Sequence, residues 1–265
     1  MRELERKPSA DDPSCPGLAI IGQGRVGTAL AAALTAERAG AQYAIRGPLG
    51  RGGDAAGADA VLLCVPDDEI AGAASLIGPG PLVGHCSGAT GLGALEPHEA
   101  FSLHPLMTVA GPGTAFAGAG AAIAGSTPAA IRFARGLAEA LGMRAVEIEE
   151  ADRTAYHAAA SMASNFLVTL EAAAERVARS AGVDRELLVP LVRATVENWA
   201  TMGPQRALTG PVARGDRATV AAQRAAVADR AGDLLPLFDT LVQATRALAH
   251  EEGDGGRPSQ KAAAA

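Results

Sequence analysis

The sequence has almost no lysine. Lys7 and Lys261 are the only two among its 23 basic residues, and both lie in polar end segments. The body of the chain therefore offers no amine as general acid, general base or Schiff-base nucleophile. Cysteine is also scarce: Cys15, Cys64 and Cys86 are odd in number and lack the spacing of a metal-ligand set. Cys64 and Cys86 fall inside apolar runs and read as core residues, and no metal is expected. Positive charge is not in excess. The 23 basic against 29 acidic residues leave a net charge of −6, which argues against nucleic acid or an anionic membrane as partner and for a small-molecule substrate. No apolar run is long enough to span a bilayer, and no charged, apolar and small-residue leader precedes the first apolar run. A cytoplasmic location is the expectation.

What is present begins with Gly22-Gln23-Gly24-Arg25-Val26-Gly27, which follows Leu18-Ala19-Ile20-Ile21 and opens the alanine-rich stretch from Thr28 to Ala39. Strand, glycines, helix is the context a dinucleotide fingerprint requires. Gly22 permits the tight turn, Gly24 lets backbone approach a pyrophosphate, and Gly27 lets the helix pack against the strand. The phosphates would sit at a helix N-terminus, where free N–H groups and the dipole favour anions.

Two halves differ in periodicity. Over 17–149, apolar runs at Leu18–Ile21, Gln42–Arg46, Ala60–Val65, Pro81–Cys86, Phe101–His104, Ala121–Ala124 and Arg144–Ile148 alternate with helical segments. This predicts an α/β Rossmann-type parallel sheet. The stretch Gly47–Asp59 is too short for a helical crossover. Over 150–250 the pattern is helical throughout, at Asp152–Ala181, Arg185–Met202, Asp216–Ala231 and Leu234–Glu251, which predicts an all-α second domain. The first of these helices is apolar around much of its circumference. It is expected to be buried on several sides and to contribute to a homodimer interface. Residues 1–16 and 251–265 read as disordered tails.

Candidate site residues come from both halves. His157, Ser161 and Asn165 recur at i, i+4 and i+8, a polar row on one helix face. Arg214 has the planar fork to hold a carboxylate, while Asp216 reads as a helix cap. Gln223 faces either the cleft or solvent. Ser87 and His104 fall at strand ends, where open α/β sheets bind ligands, as do Val65, Pro66 and Asp67, although Asp67 and Asp68 read more commonly as the start of the next helix. Arg46, at the expected end of the second strand, has no acid near it before Asp54. It favours NADP(H) over NAD(H).

Taken together, Gly22–Gly27, Val65-Pro66-Asp67-Asp68, His85-Cys86-Ser87-Gly88, Leu103-His104-Pro105, Tyr156–Ala160, Ala163-Ser164-Asn165 and Thr209–Asp216 resemble a bacterial oxidoreductase family. That family joins a Rossmann-like half to a domain of unknown function of the 6-phosphogluconate dehydrogenase C-terminal type. The resemblance extends over Leu18–Ala249 and reaches ketopantoate reductase, pyrroline-5-carboxylate reductase and prephenate dehydrogenase. Ketopantoate reductase is expected to carry a lysine and two asparagines where this chain has His157, Ser161 and Asn165. The family usually has histidine where Gln223 stands. The resemblance implies an NADPH-dependent reductase of a small 2-oxo acid of the ketopantoate type, with His157 or His104 as proton donor, Ser161 and Asn165 on the carbonyl and Arg214 on the carboxylate. Two alternatives stand beside it: reduction of a pyrroline-carboxylate-like imine, and a non-catalytic NADP-binding sensor.

Overall fold

The computed structural model describes residues 15–36 and 42–250. The expected tails, with Lys7 and Lys261, lie outside these apart from Cys15 and Pro16. The chain divides into two units between Ser164 and Asn165.

The first unit is built on a seven-stranded sheet: β1 (Gly17–Ile21), β2 (Ala44–Leu49), β3 (Ala60–Leu63), β4 (Leu82–His85), β5 (Ala100–Leu106), β6 (Gly120–Gly125) and β7 (Arg144–Glu147). Their spatial order is β2-β1-β3-β4-β5-β6-β7. Every neighbouring pair is parallel except β5 and β6. No helix lies between those two strands, so the chain reverses direction without the crossover a parallel pair needs. Alternate residues of each strand go to opposite faces, and both faces are covered. Leu18, Ile20, Leu62, Phe101 and Ile123 pack with α1 (Arg25–Thr35) and α3 (Pro128–Ala140), while Ala19, Ile21, Val61, Leu63 and Val83 pack with the short helix α2 (Ile70–Ala74). The edges are β2, which contains Gly47 and Pro48, and β7, whose Arg144 and Glu147 are exposed.

The second strand differs from expectation. It runs from Ala44 to Leu49 rather than from Gln42 to Arg46, and Arg46 pairs with Ala19 in mid-strand. A register shift beyond that pair lets Leu49 reach Ile21, so the strand ends at Leu49 and is followed by Gly50 and Arg51.

The expected helix over Asp152–Ala181 is three pieces: α4 (Arg153–Ser161), a π turn at Met162–Phe166 and α5 (Leu167–Arg179). The unit boundary falls inside the π turn.

The second unit continues with α6 (Arg185–Met202), α7 (Pro204–Ala207), α8 (Arg217–Arg230) and α9 (Leu235–His250). Asp216 caps α8 by accepting from the Thr219 amide at 3.0 Å. Exposed ion pairs join Arg176 to Asp233 and Arg224 to Asp239. Contrary to expectation, α5 contains no buried residue. The apolar side chains buried in this unit, among the described residues, are Val220, Val227 and Ala231. Phe166, Val168, Leu187, Leu191 and Trp199 are each more than half exposed. The helix is apolar on several sides, but this single chain does not cover them.

The glycine turn yields a test of the packing. A Cβ on Gly27 would stand 1.9 Å from the Gly22 carbonyl oxygen, backbone against backbone, whereas one on Gly24 would meet nothing within 4 Å. Gly27→Ala is expected to destabilise the first unit by about 1–3 kcal/mol or more, as overpacking does. Gly24→Ala should cost under about 1 kcal/mol. Urea unfolding of the two variants side by side checks the contrast.

Candidate functional site

At the carboxyl end of β1 the glycine turn leads directly into α1. Gly22 has φ +122°, a conformation that favours glycine. The turn is fixed by the Gly22 amide, which donates to the Leu49 carbonyl at 2.9 Å. Gly24 is the N-terminal cap of α1; no side chain caps it, and no acid stands in the first turn. Gln23, Gly24 and Arg25 are exposed and Val26 is half-buried. The uncapped amides are the anion-binding geometry a pyrophosphate requires. The empty space above Gly24, where no protein atom explains the absence of a side chain, fits that use.

Arg46 does not stand at this edge. Its Nη1 donates to the carbonyls of Asp54 and Ala56 at 3.4 and 2.9 Å, bracing the short connection between β2 and β3. The cation at the end of β2 is Arg51, which pairs with Glu69. Together with Ile21, Val65 and Ala73 they line a cavity of about 800 Å³ between that connection and α2. Sequence reasoning missed Arg51 because the strand end was placed too early.

Ser87 is buried, and its hydroxyl is committed within the loop. It donates to Asp67 Oδ2 at 2.8 Å and accepts from the amides of Ala89 and Thr90 at 3.1 and 2.9 Å. Its visible role is to tie the loop after β4 to Asp67, the first residue of the 3₁₀ turn Asp67–Glu69. Pro66 precedes that turn and is exposed, and Val65 is half-buried at the end of β3.

His104 belongs to β5 itself. Pairing with β4 stops at Ser102, whereas pairing with β6 continues to Leu106, so residues 103–106 project past β4. This projection brings His104 to α4. Its Nδ1 lies 2.7 Å from the Tyr156 hydroxyl, and its ring stands edge-on to those of Tyr156 and His157, with centroids 5.6 and 6.2 Å away. Gly88 completes the group. A Cβ there would approach His104 Cε1 and His157 Cδ2 to 2.9 Å each. Tyr156 belongs to the motif Tyr156–Ala160 that carries the resemblance, but the sequence reading gives it no role, because its partner His104 is 52 residues away.

A buried charge lies under this cluster. Arg153, 4% exposed, donates from Nη2 to Ser102 Oγ and from Nε to Glu150 Oε2, both at 3.2 Å. His85 is fully buried nearby. Its Nδ1 accepts from the Ser87 amide at 3.2 Å, and Nε2 faces the Gly91 backbone without reaching hydrogen-bond geometry. Burial first, and then the Arg153 charge, push His85 down to about 4. Burial, with His157 next in weight, pushes His104 to about 4 as well. Burial raises the Tyr156 phenol to about 12. At neutral pH His85, His104 and Tyr156 are all uncharged.

The expected polar row runs across two kinds of helix. His157 and Ser161 lie on α4, both half-buried, whereas Asn165 lies in the π turn that interrupts the helix. Asn165 and the exposed Arg214 and Gln223 belong to the second unit, so the cluster described here is made of first-unit residues. Among the described residues no group of three His, Cys, Asp or Glu is placed to hold a metal ion, and no helix is long and apolar enough to cross a membrane.

Comparison with known proteins places the fold. Residues 120–245, just under half of the chain, match the family model described as Domain of unknown function (DUF2520). No curated protein matches the chain. Among solved structures it is similar to a Thermotoga maritima protein, TM1727, with 24% identity, a TM-score of 0.75, and 88% of this chain and 99% of that one covered. It is also similar to Plasmodium falciparum pyrroline carboxylate reductase with NADP bound (14%, 0.57, 88% and 98%) and to a Streptomyces aurantiacus imine reductase (15%, 0.58, 88% and 98%). The likeness is one of fold: a mostly parallel Rossmann-like sheet followed by a helical region.

The two depressed histidines have a consequence for stability. Their folded pKa values near 4 lie below the ordinary 6.5, so the unfolded chain binds protons that the folded chain does not. Stability is full above about pH 6.5 and falls as pH drops toward 4. Urea midpoints from pH 7 to 4.5 should show this decline, and replacing His104 with Gln should make it shallower.

Proposed function

We propose that the protein is an NADPH-dependent reductase of a small carbonyl acid, with 2-oxo acids of the ketopantoate type as the first substrates to test. The observation that carries this reading is the Tyr156–His104 pair, held against Gly88 on a sheet whose glycine turn leaves the α1 N-terminus uncapped. NADPH, when bound, supplies the hydride. The chain's own residues supply the rest. The amides of the Gly22–Gly27 turn hold the pyrophosphate. Arg51, at the true end of β2, takes the place first given to Arg46 and pairs with the 2′-phosphate, and the cavity beside it receives the adenosine.

Proton delivery falls to Tyr156. A phenol near 12 is neutral at working pH, yet it is a far stronger acid than the alcohol into which a developing alkoxide turns. In the tautomer with its proton on Nδ1, neutral His104 donates to the phenolic oxygen and stabilises the phenolate left behind. His157, whose ring stands edge-on to His104 over Gly88, packs the cluster from α4. The absence of lysine from the body of the chain fits a donor of this kind.

A second reading rests on the pyrroline carboxylate and imine reductases of similar fold. An iminium carbon accepts hydride without a strong proton donor, so the Tyr156 hydroxyl would be dispensable. Tyr156→Phe separates the two. For a carbonyl substrate it is expected to lower kcat by about 10²-fold or more, with NADPH affinity unchanged. If the variant reduces imines at the wild-type rate and 2-oxo acids are inert in both proteins, the carbonyl reading fails. Arg51→Ala should weaken NADPH by about tenfold or more and leave NADH unaffected.

The exposed apolar side chains of α5 and α6 support a homodimer formed through the second unit. Association would bury Leu187, Leu191 and Trp199, which this chain leaves 69%, 65% and 58% exposed. Light scattering after gel filtration should give twice the chain mass, and L191E should return it to the monomer mass. A monomeric wild type would overturn this assignment.

A further inference from the structure

Cys64 and Cys86 stand one residue beyond Leu63 and His85, which are direct partners in the parallel pair β3 and β4. Their sulfur atoms are 3.6 Å apart. Both residues are half-buried and pack against the core beneath the carboxyl edge of the sheet, as their place in apolar runs predicts. Beyond that packing, they face one another across the two strands.

The position of the pair gives it a lever. A Cβ on Gly22 would stand 2.2 Å from the Cys64 carbonyl oxygen, and one on Gly27 would stand 3.2 Å from the Cys64 Cβ. The backbone and side chain of Cys64 are thus in packing contact with two glycines of the turn. Forming a disulfide would draw the sulfurs from 3.6 Å to about 2.05 Å. Whether by side-chain rotation or by a shift of the strand ends, that approach changes how Cys64 packs against the turn.

We propose that Cys64 and Cys86 form a reversible disulfide that loosens dinucleotide binding at the glycine turn. The dinucleotide half of this rests on the proposed function; disulfide formation does not. The oxidant is a hydroperoxide. One thiol, as thiolate, attacks the peroxide oxygen and becomes a sulfenic acid, releasing an alcohol or water. The second sulfur then displaces the hydroxyl as water. In sum two thiols and one hydroperoxide give one disulfide, one alcohol or water, and one further water. Cys86 holds its proton well above the ordinary range, because it shares a hydrogen bond with Cys64 and is buried. Either sulfur can make the first attack, and the other then resolves the sulfenic acid. A dinucleotide seated on the turn covers the approach to Cys64 and slows the reaction.

The test uses the full-length protein treated with hydrogen peroxide, followed by thiol counting, intact mass and peptide mapping. The expected result is a fall from three free thiols to one, a loss of two hydrogens in mass, and a cross-linked peptide containing Cys64 and Cys86, all reversed by dithiothreitol. C15S should behave like wild type. C64S and C86S should give no intramolecular cross-link, and peptide mapping of the wild type decides the matter if either variant folds poorly. NADPH affinity, measured by fluorescence titration, is expected to fall about tenfold on oxidation and to recover on reduction. Three thiols surviving oxidant, or a cross-link involving Cys15, overturns the disulfide. An oxidised protein that binds NADPH as tightly as the reduced one overturns its coupling to the site. If the reduced protein binds no NADPH at all, the proposed function fails while the mass measurement still decides whether the disulfide forms.

Discussion

The first unit is organised around one close approach of backbone to backbone. Where β1 passes into α1, the Gly22 carbonyl and the Gly27 α-carbon are so near that no side chain fits between them. That contact fixes the start of the helix at the strand's end and aims its unpaired amides past the edge of the sheet. It also sets β3 against the turn through Cys64. Displacing Gly27 would shift both the uncapped helix terminus and the thiol beneath it.

Around this frame the site relies on neutral groups. A single buried guanidinium, Arg153, is held by Ser102 and Glu150, and its field with desolvation keeps His85 uncharged. His104 is kept uncharged by burial and by His157. The low-dielectric setting that would make an amine costly thus makes a phenol–imidazole pair stable over the ordinary pH range. Beside Arg153, the polar groups of this cluster are uncharged hydrogen-bonding groups with displaced pKa values.

The sequence made some of this legible. The glycine turn, most of the strands and the helical second half are written in local patterns, so they could be located by reading along the chain. The end of β2 could not. It depends on a register shift against β1 that moved Arg46 into mid-strand and left Arg51 at the edge. Likewise the Tyr156–His104 pair exists only because β5 outruns β4, and that length is set by antiparallel pairing with β6. The row of His157, Ser161 and Asn165 assumed ordinary helical spacing, and nothing in Met162–Phe166 announces a π turn. The long apolar helix was recognised as needing cover, but sequence periodicity does not say whether its own chain provides it.

The two edges of the sheet set a limit on assembly. At one, Pro48 removes a backbone donor from β2 and Gly47 bends the strand; at the other, β7 presents Arg144 and Glu147 to solvent. Such edges resist pairing with a further strand. Both edges thus disfavour growth of the sheet from one molecule into the next, so a strand added from outside would find neither side of the sheet a ready template.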